Sequence, residues 1–279
     1  MISALQKLPI YPRMRTFVRS HARLYRLTTR INELVKMRRR IKKYGEYTSK
    51  TFHIDHEKKL VYLSNSKVAC SSIKASMYKV TNEAADYRAV HRITKKQNNY
   101  ELSVPWDKYQ DYYKFTFVRN PFARLVSCYV NKLITDKKRL GKEMRYLYFE
   151  NYLFGYLNID HGFSNWAKRV CRIPDKFADR HFVLQSFLIH DKEGHELVDE
   201  VFRFENLAAD FEVIRAKYDL EPLPHYNKTN RGNWMDYYDE ETARRVYQRY
   251  RRDIEEFGYQ DAYDELIKYI KERKVAQKD

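Results

Sequence analysis

LVYLSNSKVACSSIKASMY, residues 60 to 78, opens as a strand and closes as a helix. Leu60-Val61-Tyr62-Leu63 is a short apolar, β-branched and aromatic run of the kind that forms a buried strand. Residues 72 to 80 read as a helix. The turn between them, Ser66-Lys67-Val68-Ala69-Cys70-Ser71-Ser72, holds a lysine and three hydroxyls. A helix N-terminus presents backbone N–H groups and a positive dipole end, which together favour an anion. Ser71 and Ser72 add hydroxyl donors, Lys67 adds a point charge, and the small Ala69 and Ser71 let the backbone approach a phosphate. The turn does the work of a nucleotide P-loop without the GxxxxGK[ST] pattern. An ordinary helix cap is the competing reading of such a turn.

A second stretch, FTFVRNPFARLVSCYVNK at residues 115 to 132, has the same logic. Lys114 to Val118 reads as a buried strand. Pro121 ends it and opens a helix over Phe122 to Lys132. Arg119 then stands at the C-terminal end of a strand, where open α/β sheets bind ligands. Ser127 follows on the helix. An arginine fork and a hydroxyl can hold one phosphate between them.

Composition agrees with an anionic ligand. Of 279 residues, 54 are Lys or Arg and 37 Asp or Glu, a net charge of +17. That field attracts nucleotides, phosphates, acidic glycans, lipids or nucleic acid without choosing among them. The three cysteines, Cys70, Cys128 and Cys171, show no CxxC spacing, and no metal-ligand spacing is evident. No apolar run reaches the length of a membrane span, and the N-terminus lacks a signal-peptide core. These features point to the cytoplasm, and a chain trimmed of a membrane anchor would read the same.

Residues 1–50 read as a basic N-terminal helical extension, and residues 51–279 as the main domain. Within the extension a helix is expected over about 17 to 43, with Leu24, Leu27, Ile31, Leu34 and Ile41 on one stripe among arginines and lysines. Two readings stand for it: peripheral membrane contact, or packing on its own domain. Farther on, strands are expected at 51–54 and 201–204. Helices are expected near 142–154, 161–171 and 206–218, with a last one over 239–256 capped by Asp239. Strands alternating with helices imply a parallel sheet covered by helices.

The two anion-binding stretches together resemble those of the sulfotransferases that use 3′-phosphoadenosine 5′-phosphosulfate (PAPS), in particular the Golgi-type carbohydrate sulfotransferases and their bacterial relatives. Weaker likenesses follow in order. Asp179 to Gln185 is similar to a His…Pro-Gln segment, and Phe204-Glu205-Asn206-Leu207 with Asp210-Phe211 to an FENL…DF element. His225 to Asn230 is similar to a His-x-Asn loop. Tyr250, Asp253 and Phe257-Gly258-Tyr259 are similar to a closing Y..D…FGY. Ser66 and Leu184 stand where the family often has proline.

The resemblance implies an α/β, P-loop-like three-layer fold with a central parallel sheet flanked by helices, plus the N-terminal basic helix. It implies PAPS as donor substrate with no metal. Lys67, Ala69, Cys70, Ser71 and Ser72 would hold the 5′-phosphosulfate, Arg119 and Ser127 the 3′-phosphate. Lys228 and Arg231 would help cover the nucleotide. Lys67 would carry the charge on the bridging oxygen. A base should take the acceptor proton; His91 is the first choice, with His181, His225 and Glu101 as alternatives. The expected acceptor is a carbohydrate hydroxyl, on a glycan or glycolipid, in a bacterial polysaccharide pathway. A lipid or small alcohol, and a nucleic-acid-binding role for the basic surface, are the competing readings.

Overall fold

The structure, a computed structural model, describes residues 22–79, 90, 100–101, 106–135, 149, 151–157, 162–224 and 232–276. In chain order the main elements are α1 (Ala22–Tyr44), β1 (Phe52–Asp55), β2 (Leu60–Leu63), α2 (Cys70–Met77), β3 (Tyr100–Glu101), β4 (Tyr113–Val118) and α3 (Pro121–Tyr129). Then come α4 (Gly162–Cys171), α5 (Gln185–Ile189), β5 (Glu200–Arg203), α6 (Leu207–Tyr218), α7 (Glu240–Arg249), α8 (Arg251–Glu256) and α9 (Gln260–Ala276).

The sheet order is β3-β1-β2-β4-β5. β2, β4 and β5 run parallel, with Tyr62 opposite Phe115 and Phe117 opposite Phe202. The β1–β2 hairpin and the short β3 extend this parallel part antiparallel at one edge. Successive side chains of a strand point to opposite faces. Accordingly Leu60 and Tyr62 join one core with Phe115, Phe117, Ile73, Met77, Phe211 and Ile214, beneath α2 and α6. Val61 and Leu63 join the other with Val118, Phe122, Trp166, Val246 and Ile270, beneath α3, α4, α7 and α9. Helices therefore cover both faces, which makes three layers.

Two expectations need correction. The helix expected over 239–256 breaks at Tyr250 (φ −107°, ψ 19°), whose buried hydroxyl donates to the Phe182 carbonyl at 2.5 Å. α9 was not foreseen, because only Leu266 and Ile270 of its seventeen residues are buried and its apolar periodicity is faint. Most of the helix expected near 142–154 lies outside the described residues; within them Tyr152–Gly155 forms a 3-10 turn.

Candidate active site

The opening turn takes the shape its residues allow. β2 ends at Leu63, and the chain turns through left-handed conformations at Lys67 (φ 71°) and Ala69 (φ 49°) before α2 begins at Cys70. Consecutive turns of this kind aim backbone N–H groups into a concave nest that suits an anion. Ala69 has no side chain with which to cap the helix. α3 starts differently: its cap residue Asn120 accepts from Phe122 N at 2.9 Å and Ala123 N at 3.4 Å, with Pro121 in the first turn. Of these two helix starts, only α3 has its first N–H groups capped by its own side chain.

β2 and β4 are adjacent and parallel, so the residues after both strands meet. Arg119 Nη1 donates to the Lys67 carbonyl at 3.2 Å. The Arg119 guanidinium lies 4.4 Å from the Phe204 ring centroid, a cation–π contact that fixes its plane. Its backbone is clamped by Gln185, whose Oε1 accepts from Arg119 N at 2.9 Å and whose Nε2 donates to Arg119 O at 2.8 Å. Gln185 is itself held by Asp253, which accepts from Gln185 N at 2.8 Å and from Ser186 N and Oγ at 2.9 and 2.7 Å. Ser127 is buried on α3. Its neighbour Cys128 sits within reach of the Lys67 charge, but burial dominates and pushes that thiol up to about 12, which makes it inert.

Sequence reasoning missed Arg124. This arginine is 1% exposed and touches the turn from below. Nε donates to Ser66 O at 3.1 Å, Nη1 to Val183 O at 2.7 Å, and Nη2 to Asn65 Oδ1 at 3.3 Å and Arg180 O at 3.2 Å. Burial opposes its charge, and four acceptors answer that cost. It stands in the quoted stretch, five residues after Arg119, but nothing local shows which way it points. Ser66, in place of proline, uses its hydroxyl to accept from Arg180 Nε at 3.1 Å. Leu184 adopts φ −52° and ψ 138°, a conformation proline also takes.

Behind the turn stand a buried carboxylate, Asp179, and a half-buried imidazole, His181. His181 Nδ1 lies 2.6 Å from Asp179 Oδ1, which also accepts from His181 N at 3.0 Å. Burial opposes the Asp179 charge, but its interactions with His181 hold the carboxyl below its usual range. Burial, with Lys67 and Lys132 nearby, pushes His181 down to about 4. At neutral pH the imidazole is thus uncharged. Facing an ionised carboxylate, it carries its proton on Nδ1 and keeps the Nε2 lone pair. Lys132, on the π-helical segment Val130–Thr135, is a further cation that the sequence reading left unassigned.

The structure thus joins Lys67, Ala69 and Arg119 in one corner. His91, His225, Lys228 and Arg231 lie outside the described residues. The backbone of Glu101 pairs with Phe52 in β3. Away from this corner, His190, Glu196 and Glu256 place ligand atoms within 4.8 Å of one another. Protein partners engage them: Glu256 meets Arg252 at 3.1 Å, and His190 Nδ1 meets the Ser186 carbonyl at 2.9 Å.

Comparison with known proteins decides the family. The sulfotransferase family profile matches residues 50–260. The chain belongs to the sulfotransferase family. Carbohydrate sulfotransferase 11 of Rattus norvegicus is 31% identical over 128 residues, 43% of this chain and 36% of that protein. The Mus musculus protein of the same name gives the same figures. The chain thus spans about a third of the length of these curated relatives. No solved structure matches significantly. The family match contains the Lys67 and Arg119 turns, the Gln185 clamp, and Tyr259 at its closing end.

Proposed function

We propose that this chain moves a sulfuryl group from PAPS to a hydroxyl of a carbohydrate, on a glycan or glycolipid. The observation that carries the reading is the junction of Arg119 with the Lys67 carbonyl at 3.2 Å, which sets the two expected anion sites side by side. A nucleotide bearing both a 5′-phosphosulfate and a 3′-phosphate fits such a double site. In the reaction a bond forms between the acceptor oxygen and sulfur, and the bond from sulfur to the 5′-phosphate oxygen breaks, leaving 3′-phosphoadenosine 5′-phosphate (PAP). Ala69, Cys70, Ser71 and Ser72 bind the phosphosulfate at the start of α2. Lys67 neutralises charge as it builds on the leaving oxygen. Arg119 and Ser127 hold the 3′-phosphate, and Lys228 lies over the nucleotide.

His91 is assigned the acceptor proton. His181 is the second choice, because Asp179 fixes its tautomer. The carbohydrate acceptor is supported by the two relatives, both named carbohydrate sulfotransferases. A purely nucleic-acid-binding role is disfavoured by the family match and by a concave anion turn of this kind, since phosphate-backbone binders need only surface cations.

Calorimetric titration with PAP, AMP and ATP without Mg²⁺ tests the donor. Selective PAP binding that weakens by roughly 10- to 100-fold in Arg119→Ala, as loss of a charge-assisted contact implies, supports the reading. Equal binding of all three nucleotides, or none, overturns it. Transfer of labelled sulfate from PAPS to a panel of glycans, lipids and simple alcohols then tests the acceptor class.

A further inference from the structure

α1 precedes the segment matched by the family, which starts at residue 50. Its C-terminal half is fastened to the domain. Met37 is buried in the core and Ile41 packs against it. Arg40 Nε donates to Tyr47 O, and its Nη2 to Ser49 Oγ, both at 2.7 Å. This anchoring fixes which face of the helix looks outward.

That outward face is apolar. Leu24, Leu27, Ile31 and Leu34 are 39%, 44%, 45% and 37% exposed, large values for four such residues on one stripe. At about 1.5 Å per residue they form a ridge roughly 15 Å long. The same face continues, four residues at a time, into Arg38 and Lys42, both exposed. Arg39 and Lys43 are exposed beside them. Among the described residues, no salt bridge joins a carboxylate to any of these four cations. The neighbouring Lys36 is paired with Glu33 at 2.6 Å.

Charge and length choose the occupant. The helix holds nine Lys or Arg and one Glu. A second copy would bring nine more cations against these, and the stripe covers too few heptads for a stable coiled coil. A lipid surface needs only a short apolar ridge and a cationic border. No described helix is long and apolar enough to cross a membrane.

We propose that α1 docks the domain on an anionic lipid surface. Leu24, Leu27, Ile31 and Leu34 sink between head groups, and Arg38, Arg39, Lys42 and Lys43 meet lipid phosphates. The docking is independent of the sulfuryl-transfer reading, because none of these residues belongs to the nucleotide corner.

The test is co-sedimentation of the full chain with vesicles of phosphatidylcholine alone or with about 30% phosphatidylglycerol. Binding to the anionic vesicles should exceed binding to the neutral ones by at least about tenfold, and fall as salt is raised. Leu27→Asp/Ile31→Asp and, separately, Arg38→Glu/Lys42→Glu should each lose that binding while PAP titration is unchanged. Three results overturn the proposal: no preference for anionic vesicles, retention of binding in both variants, or a dimer in sedimentation equilibrium that Ile31→Asp dissociates.

Discussion

Arg124 Nε donates to the Ser66 carbonyl at 3.1 Å, directly beneath the residue before Lys67. With its other three bonds this arginine ties the anion turn to Arg180 and Val183, and so to the segment carrying the Asp179–His181 pair. Its bonds to Ser66 O and Asn65 Oδ1 brace the chain just before the left-handed residues Lys67 and Ala69.

Arg124→Lys tests that role. A lysine offers donors from one nitrogen and cannot reach all four acceptors. Leaving buried carbonyls unpaired should cost about 2–4 kcal/mol of stability in urea denaturation. At a temperature where the variant is folded, PAP affinity should still fall by roughly tenfold, because the nest is misplaced. Unchanged PAP affinity would show that the turn is set without Arg124.

Lys67→Ala should separate chemistry from binding. A charge that acts mainly on the leaving oxygen lowers kcat by roughly 100- to 1000-fold. PAP binding should weaken by less than about tenfold, since the backbone N–H groups and Arg119 remain. Steady-state sulfate transfer beside calorimetry reads the two effects. A loss confined to binding would move Lys67 out of the chemical step.

The His181 site makes stability depend on pH. Its folded value, about 4, lies below the ordinary imidazole value of 6.5. Between those values the unfolded chain binds a proton that the folded chain refuses. Stability is therefore complete above about pH 6.5 and is lost as pH falls toward 4, by on the order of 3 kcal/mol. Asp179, held below its usual range, subtracts more at still lower pH. Thermal midpoints measured from pH 7 to 4 should show the slope. His181→Gln should flatten it above pH 4.

Gly258 occupies a left-handed conformation (φ +66°), and a Cβ there would collide with the Arg203 guanidinium. Arg203 stacks 5.1 Å from the Tyr259 ring centroid, and the Tyr259 hydroxyl donates to Glu205 at 2.8 Å. Glu205 in turn accepts from Asn120 N at 3.0 Å, beside Arg119. Gly258→Ala should cost about 1–2 kcal/mol of stability in chemical denaturation. It should also weaken PAP binding slightly through Asn120. Wild-type stability in this variant would contradict the strained backbone assignment.

The sequence by itself determined the elements that depend on neighbours along the chain. The apolar run Leu60–Leu63, the strand before Arg119 and the helix opened by Pro121 follow from pattern and cap chemistry. The same stretches exposed the lysine and serine turn, because strand, turn and helix start lie within nineteen residues. The late motifs were visible only as isolated likenesses. The structure gives them physical work: Phe204 supports the Arg119 guanidinium, Glu205 and Tyr259 hold Asn120, and Asp253 holds Gln185. What only the tertiary structure decided is the set of bonds between distant buried groups. Arg124 and Ser66 are 58 residues apart, and Asp253 and Gln185 are 68 apart. A buried polar group must find a partner wherever packing brings one. The identity of that partner depends on how strands and helices stack, which local periodicity does not encode.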